Sequence, residues 1–439
     1  MVTSPERVLV VGGGAAGAIT AVTVLREAAA HAARPVDVMV VERSEVVGPG
    51  LAYGTYETHH LLNNYACRMS AFEDDPDHLV RWCLSRGMRI TPSTFLSRRT
   101  YGRYLAALLD EHPIPIGSGL TRVHGEVVEL LDTGTSYRAT TADGAVLTAD
   151  AVVLALGNPP PLVPRSVRVD DARLVPDPWS PDLLDRIGED DRVLLIGTGL
   201  TAIDVAVQVS CARPSARLTA VSRHGLLPLR HLPDPPDPTT SFDGQVRSLR
   251  HLLAEIRRCL ADGVDWRCLV ESLKPVANEV WAALPFEERD QFNRHVKRLW
   301  EVSRHRMAPV MADAIEGLLA DGRLTLAFPG DVDPASYDVV VNCTGPAPVP
   351  TPGWNPLVDD LAVKGMLWPG PYGLGIDVDA DGALIDADGV AARGLYAVGA
   401  ARRGVEWEVA AVPDIRRQAQ RLARHLDAST TMTPVSLVG

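Results

Sequence analysis

The feature that most constrains this chain is a glycine turn close to its N-terminus. A valine-rich apolar run at residues 7–11 leads directly into the sequence GGGAAG at residues 12–17 and then into an alanine-rich segment. In a strand, turn and helix of this kind, Gly12 permits the turn, Gly14 lets backbone N–H groups approach a pyrophosphate, and Gly17 lets the helix pack on the strand. The candidate cofactor-binding residues of this unit are Gly12, Gly14, Ala15, Ala16 and Gly17.

A second apolar run at residues 36–41 completes a βαβ unit and ends in Glu42. An acid at this point can accept hydrogen bonds from the ribose hydroxyls of an adenosine. The alternative is a glycine-rich loop that only turns the chain. Because the two strands, the helix and the terminal acid all agree, the pattern favours dinucleotide binding, with Arg43 as a further candidate contact.

Length and charge limit the classes of protein that this chain can belong to. With 439 residues, of which 46% are hydrophobic, it has room for two or three domains. A formal net charge of −12 disfavours binding to nucleic acid or to anionic membranes. No apolar run approaches the roughly 18 residues of a membrane span, and no signal-peptide pattern precedes the first strand. We therefore expect a cytoplasmic protein with a small-molecule substrate, and a homo-oligomer is possible.

The six cysteines argue against two further chemistries. They stand at positions 67, 83, 211, 259, 268 and 343, without a CxxC motif. This spacing disfavours a redox-active dithiol and a zinc site, so reduced and mostly buried thiols are expected. The neighbouring His59 and His60 lack acidic or cysteine partners at ligand spacing, and no metal site is predicted.

A second strand, turn and helix begins at residue 191 and contains the sequence GTGLTA at residues 197–202. Its next strand, residues 218–221, is followed by Ser222, Arg223 and His224 instead of an acid. A basic or hydroxyl group there suits a 2′-phosphate, which favours NADPH over NADH, although Arg223 could also be a solvated surface charge. The candidate residues of this unit are Gly197, Gly199, Leu200, Thr201, Arg223 and His224.

The order of these units predicts an α/β fold with two Rossmann-like dinucleotide-binding domains, one for FAD and one for NADPH. The FAD-binding domain is expected at residues 1–160 and 331–439, and the NADPH-binding domain at 161–330. Residues 123–131, 136–141 and 145–148 alternate as strands of a small antiparallel sheet. The other candidate cofactor-binding residues are Asn63, Met69, Ser70, Gly157, Gly345, Gly399, Trp407 and Glu408.

A helical insertion is predicted within the second domain, at about residues 226–321. Apolar residues recur there at helical spacing in three segments, and the third runs on into Arg304, His305 and Arg306. Two arginines beside a histidine can clamp a substrate carboxylate or an NADPH phosphate by paired hydrogen bonds. The alternative is a solvated helix end whose cations complement the helix dipole.

Taken together, the chain resembles the bacterial FAD/NAD(P)-binding proteins typified by YdhS. The resemblance rests on GGGAAG, GLAYGT, HLLNNYACRMSA, GTGLTAID, RLWEVSRHRMAP and the closing LYAVGAARRGVEWEVAAVPDIR. Related flavoproteins are amino-acid N-monooxygenases, some of which oxidise aspartate. The segment at residues 338–345 is similar to the D-xxx-L/F-ATG element of N-hydroxylating monooxygenases but carries Asn-Cys-Thr-Gly.

The resemblance implies an FAD-dependent monooxygenase that uses NADPH and O₂ to oxidise the nitrogen of a small amino acid, such as aspartate, or of another amine. No side chain stands out as a catalytic acid or base. Two alternatives remain open, namely a flavin oxidoreductase with another electron acceptor and a non-enzymatic flavin-binding redox sensor.

Overall fold

The fold is taken from a computed structural model, which describes residues 5–30, 35–165, 167, 171–238, 242, 246 and 248–431. The strands are β1 Glu6–Val11, β2 Val36–Glu42, β3 Gly119–His124, β4 Val127–Asp132, β5 Tyr137–Thr141, β6 Val146–Ala149, β7 Ala151–Leu154, β8 Leu174–Val175, β9 Arg192–Ile196, β10 Arg217–Val221, β11 Leu324–Ala327, β12 Val339–Asn342, β13 Ala383–Ile385 and β14 Ala391–Ala397. The α-helices are α1 Ala15–Ala30, α2 Gly50–Tyr53, α3 His78–Ser85, α4 Arg98–Glu111, α5 Leu200–Ala212, α6 Leu249–Ala261, α7 Trp266–Leu273, α8 Ala277–Ala283, α9 Phe286–Gln291, α10 Lys297–Arg304, α11 Pro309–Ala320, α12 Pro356–Val363 and α13 Val412–Thr431.

The first sheet has six strands in the order β13-β14-β7-β1-β2-β3. All neighbours are parallel except β13, which pairs antiparallel with β14. Its central strands are uninterrupted valine and leucine runs because helices α1 and α13 cover one face, while the three-stranded sheet β4-β5-β6 and α12 cover the other.

The second sheet has five parallel strands in the order β11-β10-β9-β12-β8, and α5 and α11 share its core. Strand β12 pairs with both β9 and β8, so this domain continues to Asn342 and the predicted boundary at residue 330 was too early. Helix α11 also belongs to this domain because Ile315 and Leu318 pack in its core. The prediction of two Rossmann-like folds is confirmed at the level of fold class.

The helical insertion therefore ends before α11 and contains α6 to α10. The second predicted helical segment, residues 269–284, is interrupted at Pro275, which lies in a 3₁₀ turn between α7 and α8, because proline lacks the N–H that continues an α-helix. The third consists of α9, a π-helical turn at Phe292–Val296 and α10, which ends at Arg304.

One predicted strand is two strands in the structure. Residues 119–124 form β3, which extends the first sheet by pairing parallel with β2, and β4 begins the small antiparallel sheet at Val127. Gly125, with φ of 159°, separates the two strands. Within the part of the chain that the structure describes, no helix is both long and apolar enough to cross a membrane.

Candidate functional site

A cleft of about 770 Å³ lies where the two sheets and the helical insertion meet. The first-sheet side contributes Asn158, which follows β7, and Ala400, which follows β14. Parallel strands direct their carboxyl ends to one edge of a sheet, where ligands of such folds bind. The predicted site residues that line this cleft are Gly197, Gly199, Leu200, Thr201, Arg223, His224, His305 and Gly345.

The first glycine turn has the close backbone approaches that a pyrophosphate cradle requires. Gly12 has φ of 100°, and a Cβ there would lie 2.4 Å from the carbonyl oxygen of Ala155. A Cβ on Gly17 would lie 1.9 Å from the carbonyl oxygen of Gly12. The chain leaves β1 and enters α1 within this turn, so the unpaired N–H groups of the first helical turn are presented at the end of the sheet. This geometry fits a dinucleotide diphosphate.

Glu42 is held in place at the end of β2. Its Oε2 accepts a hydrogen bond from the backbone N–H of Gly13 at 2.7 Å, and its Oε1 accepts one from the N–H of Ser44 at 2.9 Å. A Cβ on Gly13 would lie 2.8 Å from the Cβ of Glu42. The sequence reasoning did not single out Gly13, which is needed because the carboxylate lies directly against its backbone.

The second glycine turn repeats this arrangement. Gly197 has φ of 124°, and a Cβ there would lie 2.4 Å from the carbonyl oxygen of Cys343. The buried hydroxyl of Thr198 lies 2.8 Å from the Oγ of Ser222, which joins the turn to the end of β10. The first turn of α5, which begins at Leu200, therefore opens into the cleft beside the residues that follow β10.

Among the described residues, four cations line the cleft, and we call them the cleft cations. They are Arg223, Lys297, Arg298 and Arg403.

Burial lowers the pKa of Lys297, and the charges of Arg403 and Arg223 lower it further. The pKa of Arg298 is lowered by burial and by Arg223. Glu301 lies 4.0 Å from both Lys297 and Arg298, and it raises the pKa of each by more than any one neighbouring cation lowers it. Mutually repelling cations on the wall of a cleft suit an anionic ligand such as the phosphates of NADPH.

The structure speaks against the predicted substrate clamp at Arg304 and Arg306. Arg304 is buried, and its Nε lies 3.2 Å from an oxygen of Glu408 while its Nη2 lies 3.8 Å from Asp414. Arg306 is fully buried and forms an ion pair with Glu271. Both charges are therefore already compensated by protein carboxylates, and of the three predicted residues His305 is the one that lines the cleft.

Several other candidate residues are engaged within the protein. Trp407 packs against Trp281 with ring centroids 4.8 Å apart, and Glu408 accepts a hydrogen bond from Nε1 of Trp300 at 2.9 Å. These contacts dock the helical insertion on the segment after β14, so the side chain of Glu408 is not free for a cofactor.

The remaining candidates are buried, engaged through the backbone, or solvent-exposed. The hydroxyl of Ser70 donates to the carbonyl oxygen of Asp75 at 2.6 Å, and Met69 is buried in the core. The carbonyl oxygen of Asn63 accepts a hydrogen bond from His231, while Arg43 and Gly157 are exposed. Gly399 is buried, and its N–H donates to Gln418.

The sequence reasoning missed three of the four cleft cations. Lys297, Arg298 and Arg403 each lie close in sequence to residues that were proposed, and the high density of cations at residues 294–306 was the available signal. Lys297 and Arg298 stand at the start of α10 and line the cleft, whereas Arg304 is the last residue of α10 and is buried in ion pairs within the protein.

Buried His231 predicts a specific loss of stability in acid. Burial and the charges of Arg306, Lys274 and Arg68 lower its pKa to about 2, and its Nε2 donates to the carbonyl oxygen of Asn63 at 3.0 Å. The folded protein therefore keeps His231 neutral while the unfolded chain takes up a proton below pH about 6.5. The stability that His231 contributes is complete above pH 6.5 and falls by roughly 1.4 kcal/mol per pH unit below it.

Chemical unfolding at several pH values between 7 and 5 measures how steeply the free energy of unfolding falls with pH. We expect the free energy of unfolding of His231→Gln to fall less steeply with decreasing pH than that of the wild-type protein, by roughly 1.4 kcal/mol per pH unit, because one fewer proton is taken up on unfolding. His251→Gln, on an exposed face of α6, is the control and should show the wild-type dependence on pH. Equal slopes for His231→Gln and the wild-type protein would show that His231 is not held neutral.

The two glycine turns, the acid after β2 and the cleft cations are features of proteins with two dinucleotide-binding domains. Residues 9–159 match a family model described as FAD-NAD(P)-binding. This part of the chain is thus an FAD/NAD(P)-binding domain.

Known proteins with related sequence or fold agree with this class. The chain is 27% identical over 228 residues to the monooxygenase ptmN of Penicillium ochrochloron, a match that covers 50% of this chain and 35% of that protein. L-lysine 6-monooxygenase from Pseudomonas syringae has a TM-score of 0.63 at 13% identity, covering 97% of this chain and 99% of that one. An ornithine N-hydroxylase from Kutzneria sp. 744, solved with reduced FAD, NADP⁺ and L-ornithine, has a TM-score of 0.62 at 15% identity, covering 97% and 100%. The chain has the fold of flavin-dependent monooxygenases.

Proposed function

We propose that this chain is an FAD-dependent monooxygenase that uses NADPH and O₂ to hydroxylate the nitrogen of a small amine, with amino acids as the first candidates. FAD is assigned to the domain of β1 and Glu42, and NADPH to the domain of β9 and Arg223. The observation that carries the proposal is the shared cleft, in which the ends of β7 and β14 face the second glycine turn and the cleft cations.

Bound FAD would supply the redox chemistry, in which NADPH, O₂, a proton and an amine yield NADP⁺, water and a hydroxylamine. The chain's own residues bind and orient the reactants. The N–H groups at the start of α5 and the cleft cations hold the phosphates of NADPH, and Glu42 holds the adenosine ribose. Burial lowers the pKa of His305 to about 3, with Arg304 contributing, so this imidazole is neutral at the cleft wall. A neutral imidazole can hydrogen-bond an amine substrate without repelling it.

The competing enzyme is a flavin oxidoreductase with another electron acceptor, and a disulfide is one acceptor that the cleft can be examined for. Among the described residues that line the cleft, Cys343 is the one cysteine, and burial raises the pKa of its thiol. A disulfide reductase needs a reactive thiolate with a resolving partner, and a buried, protonated thiol suits neither role. The cleft therefore disfavours a disulfide as the electron acceptor.

The test is a screen of amino acids and simple amines for NADPH oxidation and O₂ uptake, with products identified by mass. A monooxygenase consumes NADPH and O₂ in equal amounts and yields a product heavier by one oxygen atom. NADPH consumption that yields only hydrogen peroxide across the whole screen would support the oxidoreductase alternative. Negligible NADPH turnover with every compound would support the redox sensor.

Arg223 predicts the choice between the two nicotinamide cofactors. It lies at the end of β10, where the 2′-phosphate of NADPH is expected, and Lys297 and Arg298 approach it. Replacing Arg223 by serine should remove about 1.5 to 3 kcal/mol of charge-assisted hydrogen bonding and so raise KM for NADPH roughly 10- to 150-fold.

The KM for NADH serves as the internal control because NADH lacks the 2′-phosphate, and it should change little. Steady-state flavin reduction with each cofactor measures both values. If Arg223→Ser raises the two KM values equally, the side chain does not contact the 2′-phosphate and is a solvated surface charge.

A further inference from the structure

A largely buried ion pair connects the two dinucleotide-binding domains. Nη2 of Arg98, the first residue of α4, donates to Oδ2 of Asp204 on α5 at 2.5 Å, and the Asp204 side chain is buried. Nε of Arg98 donates to the carbonyl oxygen of Leu61 at 3.2 Å. Leu61 and Phe95 pack against the core of the second sheet, so the pair lies within the contact between the domains. We call Arg98 and Asp204 the interdomain pair.

Close backbone contacts link the interdomain pair to the first glycine turn. The N–H of Gly48 donates to the carbonyl oxygen of Gly13 at 2.6 Å, so the segment after β2 lies directly on the turn. Gly48 also lies against α4, because a Cβ there would be 2.7 Å from the backbone nitrogen of Ala106. Backbones packed this closely leave little room for sliding. Helix α4, which begins at Arg98, therefore has a fixed position relative to the turn assigned to FAD.

On its other side the interdomain pair lies close to the second glycine turn. Helix α5 begins at Leu200, which lines the cleft, and Asp204 is four residues further along the helix. At 1.5 Å per residue, this places Asp204 about 6 Å from the end of the helix that opens into the cleft. The guanidinium of Arg98 also lies over the ring of Trp179, between β8 and β9, at 5.3 Å from its centroid. A shift of Arg98 against Asp204 would therefore move the turn assigned to NADPH.

The chemistry of the interdomain pair suits orientation better than stability. Burial raises the pKa of Asp204 to about 6, and the charge of Arg98 opposes that rise. A buried ion pair gains little over apolar side chains of similar volume, because both charges lose their hydration. Its hydrogen bonds are directional, however. The planar guanidinium holds the carbonyl oxygen of Leu61 and the carboxylate of Asp204 in one geometry, whereas an apolar contact permits sliding.

We propose that Arg98 and Asp204 are positioning residues that fix the distance between the two cofactors while NADPH reduces the flavin. In that step a hydride passes from NADPH to FAD, which yields NADP⁺ and FADH⁻. The interdomain pair acts through α4 and α5. The proposal rests on the two cofactors of the proposed function, but not on O₂ or on the amine. Because the reacting atoms must approach within about 3.5 Å, a displacement of roughly 1 Å lowers the rate on the order of 100-fold.

The test is the reduction of bound FAD by NADPH without oxygen, followed by flavin absorbance at increasing NADPH concentrations. This experiment separates the limiting rate of reduction from the affinity for NADPH. The double variant Arg98→Met with Asp204→Leu replaces both charges by apolar side chains and leaves neither charge unpaired. We expect its limiting rate to fall on the order of 100-fold. Its flavin content, its stability in urea and its affinity for NADP⁺ by calorimetry should stay close to those of the wild-type protein.

Hydrogen exchange measures the contact between the domains without any turnover. The backbone N–H of Arg98 donates to the carbonyl oxygen of His60 at 2.8 Å, and that of Leu62 donates to the carbonyl oxygen of Leu96 at 2.8 Å. In the double variant we expect the amides of residues 60–62 and 96–98 to exchange faster than in the wild-type protein, because the contact between the domains opens locally more often. Wild-type exchange in both segments would contradict the proposal.

The matched control is Arg122→Met with Asp110→Leu, which removes an exposed ion pair between β3 and α4 inside the FAD-binding domain. It should keep the wild-type limiting rate. A wild-type limiting rate in the double variant of the interdomain pair would overturn the proposal, and so would a loss of rate matched by an equal loss of NADP⁺ affinity.

Arg98→Lys carries the test if the double variant does not fold. Lysine keeps the cation but cannot reproduce the two hydrogen bonds of the guanidinium in their fixed geometry. We expect this variant to bind NADP⁺ like the wild-type protein and to reduce its flavin more slowly. A wild-type limiting rate in Arg98→Lys would then overturn the positioning role.

Failure of this proposal can be distinguished from failure of the proposed function, because the reduction uses neither O₂ nor an amine. Reduction that depends on the interdomain pair, without any hydroxylated product in the amine screen, leaves the positioning role standing and refutes the monooxygenase. Hydroxylated product from the wild-type protein, together with a wild-type limiting rate in the double variant, does the reverse. A wild-type flavin that NADPH does not reduce would refute both.

Discussion

Replacing Gly17 by alanine is expected to abolish flavin retention and to destabilise the first domain by about 3 kcal/mol or more. The new Cβ would lie 1.9 Å from the carbonyl oxygen of Gly12 and 3.3 Å from a methyl group of Val10. No side-chain rotation relieves a clash between Cβ and backbone, so α1 must move away from β1. That movement opens the turn that cradles the diphosphate. Flavin absorbance of the purified protein and its urea unfolding curve measure the two effects.

Gly317→Ala is the matched control, since Gly317 also lies within an α-helix. Gly317 is exposed on α11, and a Cβ there meets no atom within 4 Å. Alanine should stabilise this helix by roughly 0.5 to 1 kcal/mol and leave the flavin content unchanged. Full flavin occupancy in Gly17→Ala would contradict the tight packing of α1 on β1.

Replacing Arg304 by methionine is expected to lower the free energy of unfolding by roughly 3 to 5 kcal/mol. The variant leaves the buried carboxylates of Glu408 and Asp414 without their shared counter-charge. Burial raises the pKa of Asp414, and Arg304 is the largest influence that lowers it. Because Glu408 also binds Trp300 of α10, loss of Arg304 should loosen the helical insertion from the segment after β14.

Urea unfolding and limited proteolysis of the helical insertion measure these effects. Arg304→Met with Glu408→Gln should recover part of the lost stability, because the amide removes the buried charge that has lost its cation and still accepts from Trp300, while Asp414 keeps its ion pair with Arg417. Arg258→Met is the control because it removes a cation from an exposed position on α6, and it should unfold like the wild-type protein. An Arg304→Met protein of wild-type stability that fails only in substrate use would restore the predicted substrate clamp.

The two nucleotide-binding units could be predicted because each is specified by residues close together in sequence. Gly12 and Gly197 both have positive φ, and at each of them a Cβ would lie only 2.4 Å from a backbone carbonyl oxygen. The valine runs that become β1 and β9 are buried on both faces, as parallel strands are. Turn geometry, strand burial and the terminal acid at Glu42 depend on local chemistry, which a sequence displays directly.

Helix boundaries were less predictable because apolar spacing does not distinguish a helix of the insertion from a helix of the sheet domain. Helix α11 was predicted to lie in the insertion with α6, yet Ile315 packs in the core of the second sheet. Strand β12 likewise lies after residue 331, where the FAD-binding domain was expected to resume, although it pairs with β9 and β8 inside the second sheet. Which surface an apolar face meets is decided by the tertiary fold.

By itself the sequence determined the two glycine turns, the strands that flank them and a dense group of cations at residues 294–306. Only the tertiary structure decided what those cations do. It directs Lys297 and Arg298 to the cleft, pairs Arg304 with Glu408, and brings Arg306 to Glu271 together with Arg68, which is 203 residues from Glu271 in the chain. The backbone preferences that form a turn act over a few residues, whereas the partner of a charge depends on burial and on segments distant in sequence, so the sequence displays the charge but not its partner.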